Sequence, residues 1–99
     1  MPSFEFDANK SALNKEKHGL DFEESKELWK GPVFEFPVRE KMREMRYVAL
    51  GKIDGNPYTG IVSYRGATIR IISVRPSNQR EIEQYAVSIK KTESRISKA

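Results

Sequence analysis

Ninety-nine residues suffice for one domain with a single hydrophobic core and not for two. The absence of cysteine excludes disulfides, thiolate zinc sites and a cysteine nucleophile, and the single histidine, His18, argues against a histidine-based metal site within one chain. The net charge of +4 is uneven: residues 1–50 hold nine Lys/Arg against ten Asp/Glu, and residues 51–99 hold nine against four. Such asymmetry points to an anionic partner such as nucleic acid, although a merely solvated basic surface gives the same arithmetic. No apolar run approaches the ~20 residues of a membrane span, and no basic segment leads into an apolar one at the N-terminus. The expectation is a soluble cytoplasmic protein with no membrane partner.

In chain order, Phe4-Glu5-Phe6 alternates as a short strand does. Asp7 is a candidate N-cap for a helix running to Lys17 or His18, with Gly19 beyond its end. Asp21-Phe22-Glu23-Glu24 has the form of a capping box and opens a second helix that ends before Gly31-Pro32, burying Phe22, Leu28 and Trp29. The period then changes. Val33 to Phe36 reads as a strand, Arg39 to Glu44 as a charged connection, and Arg46 to Ile53 as a strand with Val48 and Leu50 on one face. Tyr47, Ala49 and Ile53 take its other face. Asp54-Gly55-Asn56-Pro57 is turn chemistry leading into a strand from Tyr58 to Tyr64, and Arg65-Gly66 turns into a last strand, Ala67 to Arg75. Links this short join antiparallel strands. Ser77 is placed to cap a final helix in which Ile82, Tyr85, Ala86 and Ile89 form an apolar stripe directed at the sheet. The fold class is α+β: two N-terminal helices, an antiparallel sheet meander and a C-terminal helix. A single domain spans residues 1–90, and residues 91–99 form a basic tail expected to fray.

Two groups of residues carry candidate chemistry. Lys10, Asn14, Lys17 and His18 fall at i, i+4, i+7 and i+8 and share one side of the first helix, with Ala12 and Leu13 toward the other. His18 there either caps the last carbonyls of the helix or acts as a titratable group beside ammonium and amide donors. In the strand Ala67 to Arg75, strict alternation places Arg70 with Ile72 and Val74, and Arg75 with Ile69, Ile71 and Ser73. A guanidinium among aliphatic side chains needs an anion or water. Arg75 and Arg80 bracket the start of the last helix, where free amides suit a phosphate, whereas pairing of Arg80 with Glu81 or Glu83 makes the same group structural. Arg70 pairs with Glu5 or Asp7 if it is structural, and Tyr85 falls in the core stripe. Tyr47, Tyr58 and Tyr64 are placed in strands, where aromatic residues are usual. No glycine-rich phosphate loop, G-x-S-x-G motif or metal-spaced carboxylate cluster is present. Metal-free cleavage of RNA is still feasible, because the 2′-hydroxyl is an internal nucleophile and the protein need only orient the strand, move protons and stabilise charge.

Phe4-Glu5-Phe6-Asp7 with Lys10 and Asn14, then Lys17-His18-Gly19-Leu20 and Phe22-Glu23-Glu24, resembles the N-terminal signature of BrnT-type toxins. Arg70-Ile71-Ile72-Ser73-Val74-Arg75 with Arg80-Glu81 and Tyr85 resembles their C-terminal signature. Phe6 stands where a tryptophan is common and Val74 where an alanine is common. The resemblance covers roughly residues 4–90. It implies a RelE-like fold and the toxin of a type II toxin–antitoxin pair, a metal-independent endoribonuclease cleaving mRNA without a cofactor. It also implies a BrnA-type antitoxin of the ribbon-helix-helix class, which neutralises the toxin and carries the complex to operator DNA. The matching positions include His18, Arg75 and Arg80, and the resemblance leaves open which group moves the proton. The preferred reading makes these three the catalytic candidates, with His18 moving the proton and the arginines stabilising the phosphate. Lys10, Asn14, Lys17, Arg70 and Tyr85 are the substrate-binding candidates. The alternative is a non-catalytic toxin that binds a protein target such as gyrase, as relatives of this fold do. A stand-alone DNA-binding repressor has no supporting motif.

Overall fold

The computed structural model describes residues 2–38 and 45–97. Its elements are β1 (Phe4–Glu5), α1 (Ala8–His18), a 3₁₀ helix (Glu24–Lys30), β2 (Phe34–Val38), β3 (Arg46–Ile53), β4 (Asn56–Arg65), β5 (Thr68–Pro76) and α2 (Gln79–Ser97). Arg39 to Glu44 lies outside the described residues. Asp7 caps α1 as expected, its carboxylate accepting the amides of Asn9 and Lys10, and Gly19 closes it in the left-handed region at φ 81°.

The second helix differs from expectation in kind. The reciprocal Asp21–Glu24 box is present, each side chain accepting the other's backbone amide. The element it opens is nevertheless a seven-residue 3₁₀ helix. Phe22, Ser25 and Leu28 are all buried, and their spacing of three is the repeat of a 3₁₀ turn rather than of an α-helix. Leu28 reaches the sheet at Gly51, where a Cβ would come within 2.9 Å of its Cδ1 atom, so any side chain at that position would lift the helix away.

The five strands form one mixed sheet in the order β1-β5-β4-β3-β2. The meander from β2 to β5 is antiparallel, as short links require. β1 corrects the all-antiparallel expectation by pairing parallel to β5, which the long excursion between them allows. One face of the sheet packs under the 3₁₀ helix: Ala49, Ile53, Val62, Ile69, Ile71 and Val74 join Phe22 and Leu28 in the core. The other face, termed the open face here, carries Val48, Leu50, Thr59, Ile61 and Ser63, as the register of β3 against β4 dictates.

A bulge overturns the alternation expected in β5. Ile61 and Val62 are consecutive in β4, yet they pair with Ser73 and Ile71, so Ile72 is an extra residue in β5. Beyond it the faces exchange. Val74 joins Ile69 and Ile71 in the core, and Arg75 moves to the face that carries Arg70. Both arginines therefore lie on the open face, and neither has to sit among core aliphatics.

The end of the chain departs from expectation twice. Asn78, not Ser77, caps α2, exchanging backbone and side-chain hydrogen bonds with Glu81. α2 continues helical through Ser97, into the segment expected to fray. Of its apolar stripe only Tyr85 is buried, stacking edge-on against Phe34 at 5.5 Å, while Ile82 stays exposed. α2 thus covers one end of the open face, while Val48 and Ile61 in the middle of it stay half-buried.

Candidate active site: a cation-lined cleft beside the bulge

α1 carries no apolar stripe, and it is fixed to the rest of the molecule by buried polar residues. Ser11 Oγ accepts the amide of Phe22 at 2.8 Å. The Asn14 amide nitrogen donates to the carbonyls of Leu20 and Val74, both at 2.8 Å, and its oxygen accepts the Val74 amide at 3.1 Å. That two-way exchange with Val74 is what a neighbouring strand's backbone would supply. The Asn14 side chain therefore continues the β1 edge where the backbone has left it, and pins α1 against β5.

The pinning creates a cleft of about 190 Å³ lined by Lys10, Leu13, Asn14, Lys17 and His18 from α1 and by Ile72 and Ser73 from the bulge. The structure therefore brings together the four residues whose helical spacing singled them out. It also corrects one placement: Leu13, three residues from Lys10 and four from Lys17, lines the same cleft and is 54% exposed. Lys10 and Lys17 are exposed and His18 half-buried. Among the described residues no ion pair engages any of the three. The cleft thus holds two ammonium groups outside any ion pair beside an imidazole, with Ser73 as a further polar residue.

The arginines of the C-terminal half are arranged differently. Both terminal nitrogens of Arg75 donate to Glu81, at 2.7 and 2.8 Å, in a forked pair. Glu81 also accepts from Thr59 Oγ1 at 3.0 Å and from the Asn78 amide. The Arg75 hydrogen bond holds the Glu81 carboxyl below its ordinary value, and Glu81 in turn raises Arg75. Of the two carboxylates expected as partners for Arg80, Glu81 is paired with Arg75, and among the described residues no ion pair joins Arg80 to Glu83. Arg80 is exposed and lines a shallow depression on the open face with Phe36, Val48, Leu50, Glu81 and Gln84.

Arg70 lies at the other end of the open face, 3.4 Å from Glu5. Tyr85 is in the core, and its hydroxyl donates to the Pro32 carbonyl at 3.1 Å while burial raises its ionisation. The eight sequence candidates are thus not one constellation. Four share the α1 cleft, Arg75 and Arg80 meet at the head of α2, and Arg70 and Tyr85 stand apart.

Register connects these groups. Ser73, Ile61, Val48 and Phe36 form one cross-strand row running from the α1 cleft to the Arg80 depression. Three strand spacings make it roughly 14 Å long. Arg70 and Ser63 lie in a row on one side of it, and Arg75, Thr59 and Leu50 in a row on the other. Ser73, Thr59 and Ser63 were not among the sequence candidates, because only the bulge and the register bring them to this face. Among the described residues no cluster of three His, Asp or Glu side chains could hold a metal ion, and no helix is long and apolar enough to cross a membrane.

A sheet with one face open and cations at both ends of an apolar lane is suited to an extended anionic chain. The chain matches the family model of the ribonuclease toxin BrnT of type II toxin–antitoxin systems over residues 6–81. That places it among the ribonuclease toxins of such systems. It belongs to the BrnT family. It is similar to the Brucella abortus ribonuclease toxin BrnT, known from a crystal structure at 1.1 Å, with 25% identity and a TM-score of 0.63. The match covers 80% of this chain and 100% of that one. No curated protein matches it.

Proposed function

We propose that the protein is a metal-independent endoribonuclease with a RelE-like fold that cleaves mRNA in the cytoplasm. The observation that carries this reading is the gathering of His18, Lys10 and Lys17 in one cleft, none of them in an ion pair among the described residues.

In this mechanism the 2′-hydroxyl of a ribose attacks the adjacent phosphorus, and the bond from phosphorus to the 5′-oxygen of the next nucleotide breaks. The products are a 2′,3′-cyclic phosphate and a 5′-hydroxyl. His18 is the group that transfers the proton, and Lys10 and Lys17 stabilise charge developing on the phosphate oxygens. Arg80, which forms no ion pair among the described residues, meets a phosphate further along the open face. Arg75 acts through Glu81 as a positioning residue: its fork is occupied, and what it fixes is the head of α2 from which Arg80 projects. Asn14 and Tyr85 also contribute by position, since their polar atoms are committed to Val74, Leu20 and Pro32.

The proposal extends to a BrnA-type antitoxin of the ribbon-helix-helix class that covers the cationic face and carries the pair to operator DNA. Neutralisation then follows from competition for the same cations. Incubating the protein with a defined RNA in EDTA tests the enzymatic reading. Wild type should cleave and His18→Ala should not. Equal cleavage by both removes His18 from the chemistry and leaves it to the lysines and arginines. Cleavage by neither rejects the free ribonuclease.

A further inference from the structure

The row containing Arg70 has a feature that the cleavage chemistry leaves unused. Arg65 and Arg70 share one carboxylate, Glu5, at 3.5 and 3.4 Å. Both distances are long beside the 2.7 Å of the Arg75–Glu81 pair on the same face. Neither guanidinium is gripped as Arg75 is: Glu5 is shared between the two, and Asp7 acts on Arg70 only through its charge, without a direct contact. Next to Arg70 in register is Ser63, which is fully buried and whose hydroxyl has no hydrogen-bond partner. A buried hydroxyl with nothing to bond is costly and needs a reason. Alternation along β4 places Arg65 and Ser63 on one face, and pairing places Glu5 and Arg70 beside them.

We propose that Arg65, Arg70 and Ser63 form a second anion subsite, which holds a phosphate of the RNA strand away from the cleft where His18 lies. Glu5 is its resident counter-ion. Arg70, held by a single long contact, swings from Glu5 to the phosphate, and the movement exposes the Ser63 hydroxyl to donate to it. Arg65 completes a two-guanidinium clamp on the phosphate oxygens. The other arginine row cannot serve in this way, because Glu81 grips Arg75 with both oxygens and is itself held by Thr59 and Asn78. The subsite rests on the ribonuclease reading only for the identity of its ligand.

The test uses the full-length chain with two probes, inorganic phosphate and a 2′-O-methyl RNA that cannot be cleaved. Phosphate titration followed by amide NMR should shift Ser63, Arg65 and Arg70. Affinity for the non-cleavable RNA should rise roughly five-fold in Glu5→Gln, which removes the competing charge, and fall by a similar factor in Arg65→Ala. Ser63→Ala should weaken binding without lowering the melting temperature, since it removes an unpaired buried hydroxyl. Phosphate shifts confined to the α1 cleft, or a Glu5→Gln variant that binds no more tightly, overturn the subsite even if the protein cleaves RNA normally. Shifts at Ser63 and Arg70 in a protein that neither binds nor cleaves RNA would keep the anion site and reject the ribonuclease.

Discussion

The cleft beside α1 and the cluster at the head of α2 are built from similar cations, and they differ in what those cations already touch. Among the described residues Lys10, Lys17 and His18 form no ion pair, whereas Arg75 is forked onto Glu81, which is held in turn by Thr59 and Asn78. The first region has charge to offer a substrate, and the second has spent its charge on fixing a helix. In the proposed mechanism Arg80 takes the phosphate-facing role that position suggested for Arg75, because Glu81 is forked onto Arg75. A basic residue in a motif marks a site only once its internal partners are known. Arg70, on a single 3.4 Å contact, lies between these extremes.

The contrast can be broken most forcefully at His18. His18→Ala should lower RNA cleavage about 10²- to 10⁴-fold with little change in melting temperature, checked by single-turnover kinetics beside a thermal melt. A stability loss accompanying the rate loss would make His18 a structural cap instead. Asn14→Ala should do the reverse of a pure active-site change. It leaves the Val74 amide and carbonyl without partners and should cost roughly 2–5 kcal/mol in a urea unfolding experiment. If Asn14→Ala were as stable as wild type, the side chain could not be what pins α1 to β5.

Glu81→Gln should cost about 1–3 kcal/mol, by loosening Arg75 and the cap of α2. The pH dependence gives its sign. Glu81 titrates below its ordinary 4.5 in the folded protein, so its stabilisation is fully present above that value and is lost as pH falls through the lower folded one. Comparing wild type and Glu81→Gln by chemical denaturation at pH 7 and at pH 3 should show the gap between them narrowing in acid. The smallest effect belongs to Tyr64. Burial first, and its hydrogen bond to Glu35 second, push its ionisation well above the ordinary 10.0. Tyr64→Phe should therefore remove a late-titrating phenol from the alkaline absorbance curve and shift stability by less than about 1 kcal/mol.

Local chemistry made much of the fold legible in the sequence. Asp7, Gly19 and the Asp21–Glu24 box mark their helix ends because capping depends on residues a few positions apart. The alternation of Val48 and Leu50 against Ala49 and Ile53 identifies the two faces of β3 for the same reason. The polar stripe of α1 was likewise readable, since helical spacing alone puts Lys10, Asn14, Lys17 and His18 on one side. The two-signature resemblance, separated by some fifty residues, carried the family.

What the sequence could not contain is the choice among partners distant along the chain. One extra residue, Ile72, reverses the faces of β5 and brings Arg75 to the side of Arg70, yet nothing in the run Thr68 to Pro76 marks where the bulge falls. The partner of Arg75 could not be chosen between neighbouring acids from spacing alone, and Thr59 entered that network only through the pairing of β4 with β5. The role of Asn14 was open as well: a polar residue on an exposed stripe becomes a substitute for a strand edge because β1 ends and Val74 still needs a hydrogen-bonding neighbour. The amino-acid sequence by itself determined which residues carry charge and where the elements begin and end. The tertiary structure decided which of those charges are spent inside the molecule and which face outward. That choice depends on distances between residues sixty positions apart, set by sheet register and not by local preference.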